Sequence, residues 1–246
     1  MAIPVTFGQY FQQNGATQQW SISTSGNTTT VSASGAVDFL FSGVSGLPFS
    51  GPEAATFSFN ATSTQLGNCG VNCGPGDSYV QPGYSGTFSF IDAGAHPGAN
   101  LLSGTFAVTG SPSTTGAQFS SSIGSSGGSF NASATAGNLS QLVLTSNYLA
   151  FIGETDENAS WSLSSLIPNF ATGTVTGNQA YPGAGPFNAS GSGTFSSNPG
   201  PVAAPEPSTF ALFGSGLLGL GCLLTGRRSA SRRPAGAKTG AGVELA

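Results

Sequence analysis

Ala55-Thr-Phe-Ser-Phe59 and Tyr84-Ser-Gly-Thr-Phe-Ser-Phe90 each set two phenylalanines two residues apart with a serine between them, and Phe39 and Phe41 repeat the spacing. A period of two belongs to the β-strand, whose successive side chains point to opposite faces. The rings of each pair therefore share one face, and Ser, Thr or Asn take the other, which suits a sheet with one buried side. Working outward, the same alternation predicts strands near 5–10, 18–25, 28–42, 55–63, 85–91, 101–109, 117–123, 128–135, 140–152, 158–163, 171–177 and 187–196. Gly- and Pro-rich turns separate them. The pattern predicts an all-β fold, a Gly/Ser-rich β-sandwich or open barrel of about 10–12 short strands.

Four segments echo one another: Ser85-Gly-Thr-Phe-Ser-Phe90, Ser103-Gly-Thr-Phe-Ala-Val108, Gly128-Ser-Phe130 and Ser192-Gly-Thr-Phe-Ser-Ser197. Their unequal spacing argues against a solenoid and for recurring strand openings.

Only 6% of the 246 residues are charged, against roughly 25% in an average globular chain. The five cations are Arg227, Arg228, Arg232, Arg233 and Lys238, so residues 1–226 contain none. Without Lys or Arg to displace phosphate counterions, the main domain excludes DNA and RNA as partners. Salt bridges of Lys or Arg are equally excluded, leaving aromatic burial, ladder hydrogen bonds and cross-strand Ser/Thr contacts to hold the body together. The missing edge lysines leave strand edges open to self-association. Aromatic content before residue 205 argues for a folded body over disorder.

The composition changes at Pro199, where Pro-Gly-Pro-Val-Ala-Ala-Pro forms an extended linker. The organisation expected is a domain at 1–198, a Pro-rich linker at 199–207, a transmembrane helix at 208–226 and a basic cytoplasmic tail at 227–246. The 19 uncharged residues from Ser208 to Gly226 would span about 28 Å as a helix, close to a bilayer core of roughly 30 Å. Four arginines within seven residues follow, which the positive-inside rule places in the cytoplasm with the body outside.

Pro205-Glu206-Pro207-Ser208, one apolar span and then Arg227-Arg228 resemble, in that order, the PEP-CTERM sorting signal of bacterial exported proteins. The resemblance covers about residues 205–233. It implies recognition by an exosortase, a membrane-embedded cysteine-dependent transpeptidase-like enzyme, with processing near the tripeptide. The localisation it implies is the inner membrane as precursor, then the cell surface or exopolysaccharide matrix. The run from Pro234 to Ala246 departs from the family, whose members end soon after the arginines. Met1-Ala-Ile-Pro-Val-Thr-Phe7 has neither the basic n-region nor the apolar h-region of a signal peptide. Since Ala2–Phe7 reads like the start of a mature exported domain, a start codon placed too far downstream is the expected explanation.

Cys69 and Cys73 lie in the turn-rich Asn68-Cys-Gly-Val-Asn-Cys-Gly-Pro-Gly-Asp77. In an oxidising compartment they read as a local disulfide, provided the loop brings their Cα atoms within about 7 Å. Zinc needs more ligands, and His96 is the only histidine, so no metal and no cofactor is expected. His96 itself reads as a solvated turn residue. The matches Gly214–Gly219 to a dinucleotide loop and Gly124–Gly128 to a nucleophile elbow lack their structural context and are set aside. Glu154, Asp156 and Glu157 read as a solvated turn, with Ca²⁺ as the alternative.

No catalytic residue is expected. The function expected is a non-catalytic exported protein that adheres or scaffolds in the exopolysaccharide layer. The alternative is a secreted carbohydrate-active enzyme pairing carboxylates among Glu53, Asp92 and Glu154.

Overall fold

A computed structural model describes residues 4–13, 19–107, 117–134, 141–183 and 185–204. No α-helix occurs among them, and none is long and apolar enough to cross a membrane; the expected span at 208–226 lies outside the described residues. The strands are β1 (Val5–Gln12), β2 (Trp20–Ser25), β3 (Thr28–Phe41), β4 (Glu53–Ser63), β5 (Gly67–Cys69), β6 (Ser78–Asp92), β7 (Asn100–Phe106) and β8 (Ala117–Ser122). There follow β9 (Gly128–Ala134), β10 (Leu142–Thr145), β11 (Leu149–Ala150), β12 (Asp156–Ile167), β13 (Thr172–Thr176), β14 (Gln179–Pro182), β15 (Phe187–Asn198) and β16 (Val202–Ala203).

The all-β expectation holds, but neither the sandwich nor the open barrel does. Antiparallel pairing runs β1–β3–β4–β6–β8–β9–β12–β15 and returns to β1, giving a closed eight-stranded barrel with additional strands. Closure rests on β1, which pairs with β3 on one side and with β15 on the other. β2 extends that position, bridging the first half of β3 and the start of β15. For these eight strands the open edges expected from the missing lysines are therefore absent, because a closed ring has none. Edges remain among the additions, at β10 on β7 and at β13 on β14.

Several boundaries also differ. The strand expected at 85–91 begins at Ser78, and that expected at 140–152 breaks at Ser146–Tyr148, where the Ser146 hydroxyl accepts the Tyr148 and Leu149 N–H groups. Short β5, β14 and β16 lack an alternation long enough to be read from sequence.

The barrel interior is aromatic. Phe57 and Phe90 stack with centroids 4.8 Å apart, Phe59 meets Trp161 edge-on at 5.1 Å, and Phe88 stacks on Phe195 at 5.4 Å. Glycines make room for these rings. In register, Gly86 faces Phe106 while Phe88 faces Gly104, and Gly8 faces Phe195 while Tyr10 faces Gly193. Of the four echoed segments Gly128–Phe130 does open a strand, β9, whereas the three Ser-Gly-Thr-Phe segments lie inside β6, β7 and β15, where Gly86, Gly104 and Gly193 each supply an inward position without a side chain.

The outer face carries hydroxyl pairs across neighbouring strands, Ser58 to Ser89, Ser103 to Thr145 and Ser120 to Ser129, each with 2.8 Å between oxygens. These occupy positions where other sheets place cross-strand ion pairs.

Candidate functional site

The antiparallel register sends the acids of the body other than Asp77 towards one end of the barrel. β4 starts at Glu53, β6 ends at Asp92, and β12 starts at Asp156, with Glu154 just before it and Glu157 just inside. Ala55 faces Asp92, and Ser197, near the end of β15, faces Glu157. The loops 42–52, 93–99 and 146–155 lie at this end, and residues 202–204 pair with 148–150 there.

Glu154 and Glu157 are not the solvated turn expected from their sequence. Their exposures are 9% and 6%. Glu157 falls on the inward face of β12 with Ala159 and Trp161. Burial first, then the charge of Glu154, pushes its carboxyl up to about 7. Oε1 of Glu154 is buried without a hydrogen-bond partner. Among the described residues no three His, Cys, Asp or Glu side chains come together in a metal-binding group.

Asp92 is buried and structural in its bonding. Its Oδ1 accepts the Gly94 N–H at 2.6 Å and its Oδ2 accepts the His96 N–H at 3.1 Å, which fixes the 93–99 loop. The half-exposed His96 ring places Nδ1 3.8 Å from the same Oδ2. Beside them, half-buried Phe41, Phe49 and Tyr148 form an aromatic cluster, with Phe49 stacked on Phe41 at 5.1 Å and edge-on to Tyr148 at 4.6 Å. Burial, then the charges of Asp92 and Glu53, raise the Tyr148 phenol. The charges of Asp92 and Glu53 thus act on one tyrosine, and that of Glu154 on Glu157. The sequence offered no way to choose a pair, because the pairing depends on barrel register.

Cys69 and Cys73 are disulfide-bonded, with Cα atoms 5.0 Å apart. Cys73 has a φ of 56°, and Asp77 holds the loop through Oδ2, which accepts the Asn72 N–H at 2.9 Å and the Gly74 N–H at 3.1 Å. Those backbone donors keep the Asp77 carboxyl below its ordinary range. This loop joins β5 to β6, away from the acid end.

The chain leaves the described body at the acid end. Val202 pairs with Ala150 and Ala203 with Leu149, and the Ala204 N–H donates to the Tyr148 carbonyl at 2.8 Å. This strand is not legible in the sequence, since its two residues carry no period. Pro205, Glu206, Pro207, Ser208, Arg227 and Arg228 lie outside the described residues.

No curated protein and no solved structure matches the chain. One family model does, described as the PEP-CTERM protein-sorting motif, and it covers residues 203–228. That stretch takes in the tripeptide, the apolar run and the first two arginines, and it begins on β16. The chain thus carries a PEP-CTERM sorting motif, the signal of an exported protein processed by an exosortase.

Proposed function

We propose that the body is a non-catalytic adhesive or scaffolding component of the exopolysaccharide layer. In this reading it comprises residues 1–198, 199–207 is a linker whose residues 202–204 are hydrogen-bonded back to the body, 208–226 anchors the precursor in the inner membrane, and 227–246 stays cytoplasmic until processing near Pro205–Pro207. The observation that carries the reading is the use of the interior: aromatic rings fill the barrel, and Asp92 spends both carboxylate oxygens on its own loop. The uncharged hydroxyl ladders of the outer face suit contact with a hydrated neutral polymer. β10 and β13 carry no charge on their edges, which suits pairing with a second copy.

The test is expression in a host with an active exosortase, with co-sedimentation of the surface fraction on the host's exopolysaccharide. Glu53→Gln, Asp92→Asn and Glu154→Gln variants are screened beside it on polysaccharides. Retention on the polymer by all variants is the expected result. Turnover that disappears with any one carboxylate would establish the glycosidase alternative.

A further inference from the structure

The sorting motif begins on a strand that is held to the body. Residues 198–204 run antiparallel to 148–156 and are fastened at both ends. At the far end the Asn198 carbonyl accepts the Thr155 N–H at 2.6 Å and the Thr155 hydroxyl at 2.9 Å. At the near end β16 pairs with β11, and the Ala204 N–H reaches Tyr148. Pro201 is buried between the two fastenings, although Val202 is 56% exposed.

β11 is itself anchored. The Ser146 hydroxyl donates to the Leu101 carbonyl at 2.6 Å while accepting the Tyr148 and Leu149 N–H groups, and Asn147 exchanges hydrogen bonds with Asn100. Leu149 is 3% exposed. Among the described residues the last backbone bond to the body is therefore at Ala204, one residue before Pro205.

That position leaves little room. Only Pro205, Glu206 and Pro207 separate Ala204 from the uncharged run that starts at Ser208. Fully extended, three residues reach about 11 Å, roughly the width of one helix with its side chains. An enzyme that grips an extended peptide on both sides of its cleavage point needs more free chain than this. Release of 199–204 would add six residues, or about 20 Å. What holds them is a two-residue strand and a few backbone bonds, a contact weak enough to open locally while the barrel stays closed.

We infer that β11 and β16 form a latch that limits processing, and that exosortase acts on the minor state in which residues 199–204 have left the body. The inference rests on the sorting reading above and adds a rate-limiting opening to it.

The experiment follows processing of the full chain in a host with an active exosortase, by pulse labelling and loss of the C-terminal mass. One variant inserts six Gly/Ser residues between Ala204 and Pro205, giving the enzyme reach without opening the latch. A second carries Ala150→Cys and Val202→Cys to close the latch covalently, its bridge verified by mass. A third combines the two changes. The insertion should raise the initial rate about tenfold, the bridge should lower it at least as much, and the bridge should have no effect in the inserted chain. An unchanged rate on insertion, or equal slowing by the bridge in both backgrounds, overturns the latch while leaving the sorting reading intact. If no version is processed while a control substrate in the same host is, the sorting reading fails and the latch with it.

Discussion

Phe88 on β6 stands directly across from Gly104 on β7, and two residues along the same pair of strands Phe106 stands across from Gly86. The two Ser-Gly-Thr-Phe segments thus pair antiparallel, each ring over the other's glycine. A Cβ built on Gly104 would come within 2.5 Å of the Phe88 ring and 3.1 Å of Leu144.

Gly104→Ala should therefore destabilise the body by about 1–3 kcal/mol, the usual cost of overpacking a filled core. Gly51→Ala is the control, because its new methyl meets nothing within 4 Å. Chemical denaturation of both variants checks this. Equal stability would mean that Phe88 has another place to go.

Phe88→Ala should cost more, about 3–5 kcal/mol, since the ring is buried and fills space between Trp161 and Phe195. The same denaturation series measures it. A loss under 1 kcal/mol would show that its neighbours collapse into the gap.

The fold class was legible because the Phe pairs at 57/59 and 88/90 carry the strand period themselves. Closure was not, because it depends on β1 meeting both β3 and β15, and alternation gives a strand's faces but not its neighbours. The Ser-Gly-Thr-Phe echo was visible in sequence, and its purpose emerged only with register. Of the acid end, Glu154 and Glu157 read as solvent-exposed because carboxylates in a Gly-flanked segment usually are. Nothing local announced that Glu157 would share a face with Trp161. The sorting motif was legible in full, being an ordered set of local features.

Glu157 gives the body a distinct pH response. Its carboxyl titrates near 7 in the fold against an ordinary 4.5, so the folded protein keeps a proton that the unfolded chain releases. The contribution is fully present below about pH 4.5 and is lost as pH rises through 7. The thermal midpoint should fall across that interval, and Glu157→Gln should flatten the slope and be the more stable form at pH 8, by on the order of 1 kcal/mol. A slope unchanged in the variant would assign the response to other groups.

Asp77 has the opposite sign. With its carboxyl held below the ordinary 3.8, its contribution is present above that value and is lost as pH falls through the lower folded one. Asp77→Ala should speed amide exchange at Asn72 and Gly74 and make the Cys69–Cys73 bridge easier to reduce. Protein recovered from outside the cell without reductant should show that bridge by alkylation and intact mass. Two free thiols there would count against it.

Processing has a readout that the composition supplies. Removal near Pro205–Pro207 takes away all five cations, leaving a body of net charge about −7 from Asp38, Glu53, Asp77, Asp92, Glu154, Asp156 and Glu157, or about −8 where Glu206 stays. Mature protein should then keep its mass under trypsin, whereas the precursor should lose everything after its first accessible arginine. A full-length mass in the surface fraction of a host with an active exosortase would contradict the sorting assignment.

The seam between β1 and β15 sets a schedule. Val5 lies opposite Ser197, so the barrel's first and last strands are neighbours and its ring cannot shut until almost the whole body is available. A chain emerging from its N-terminus must hold β1 and the aromatic face of β3 and β4 without their final partner until residues 187–198 appear. Contacts so distant in sequence make for slow folding and prolonged exposure of apolar surface. The sorting motif is the next segment out. The ring can therefore first close only as the sorting motif follows β15 out.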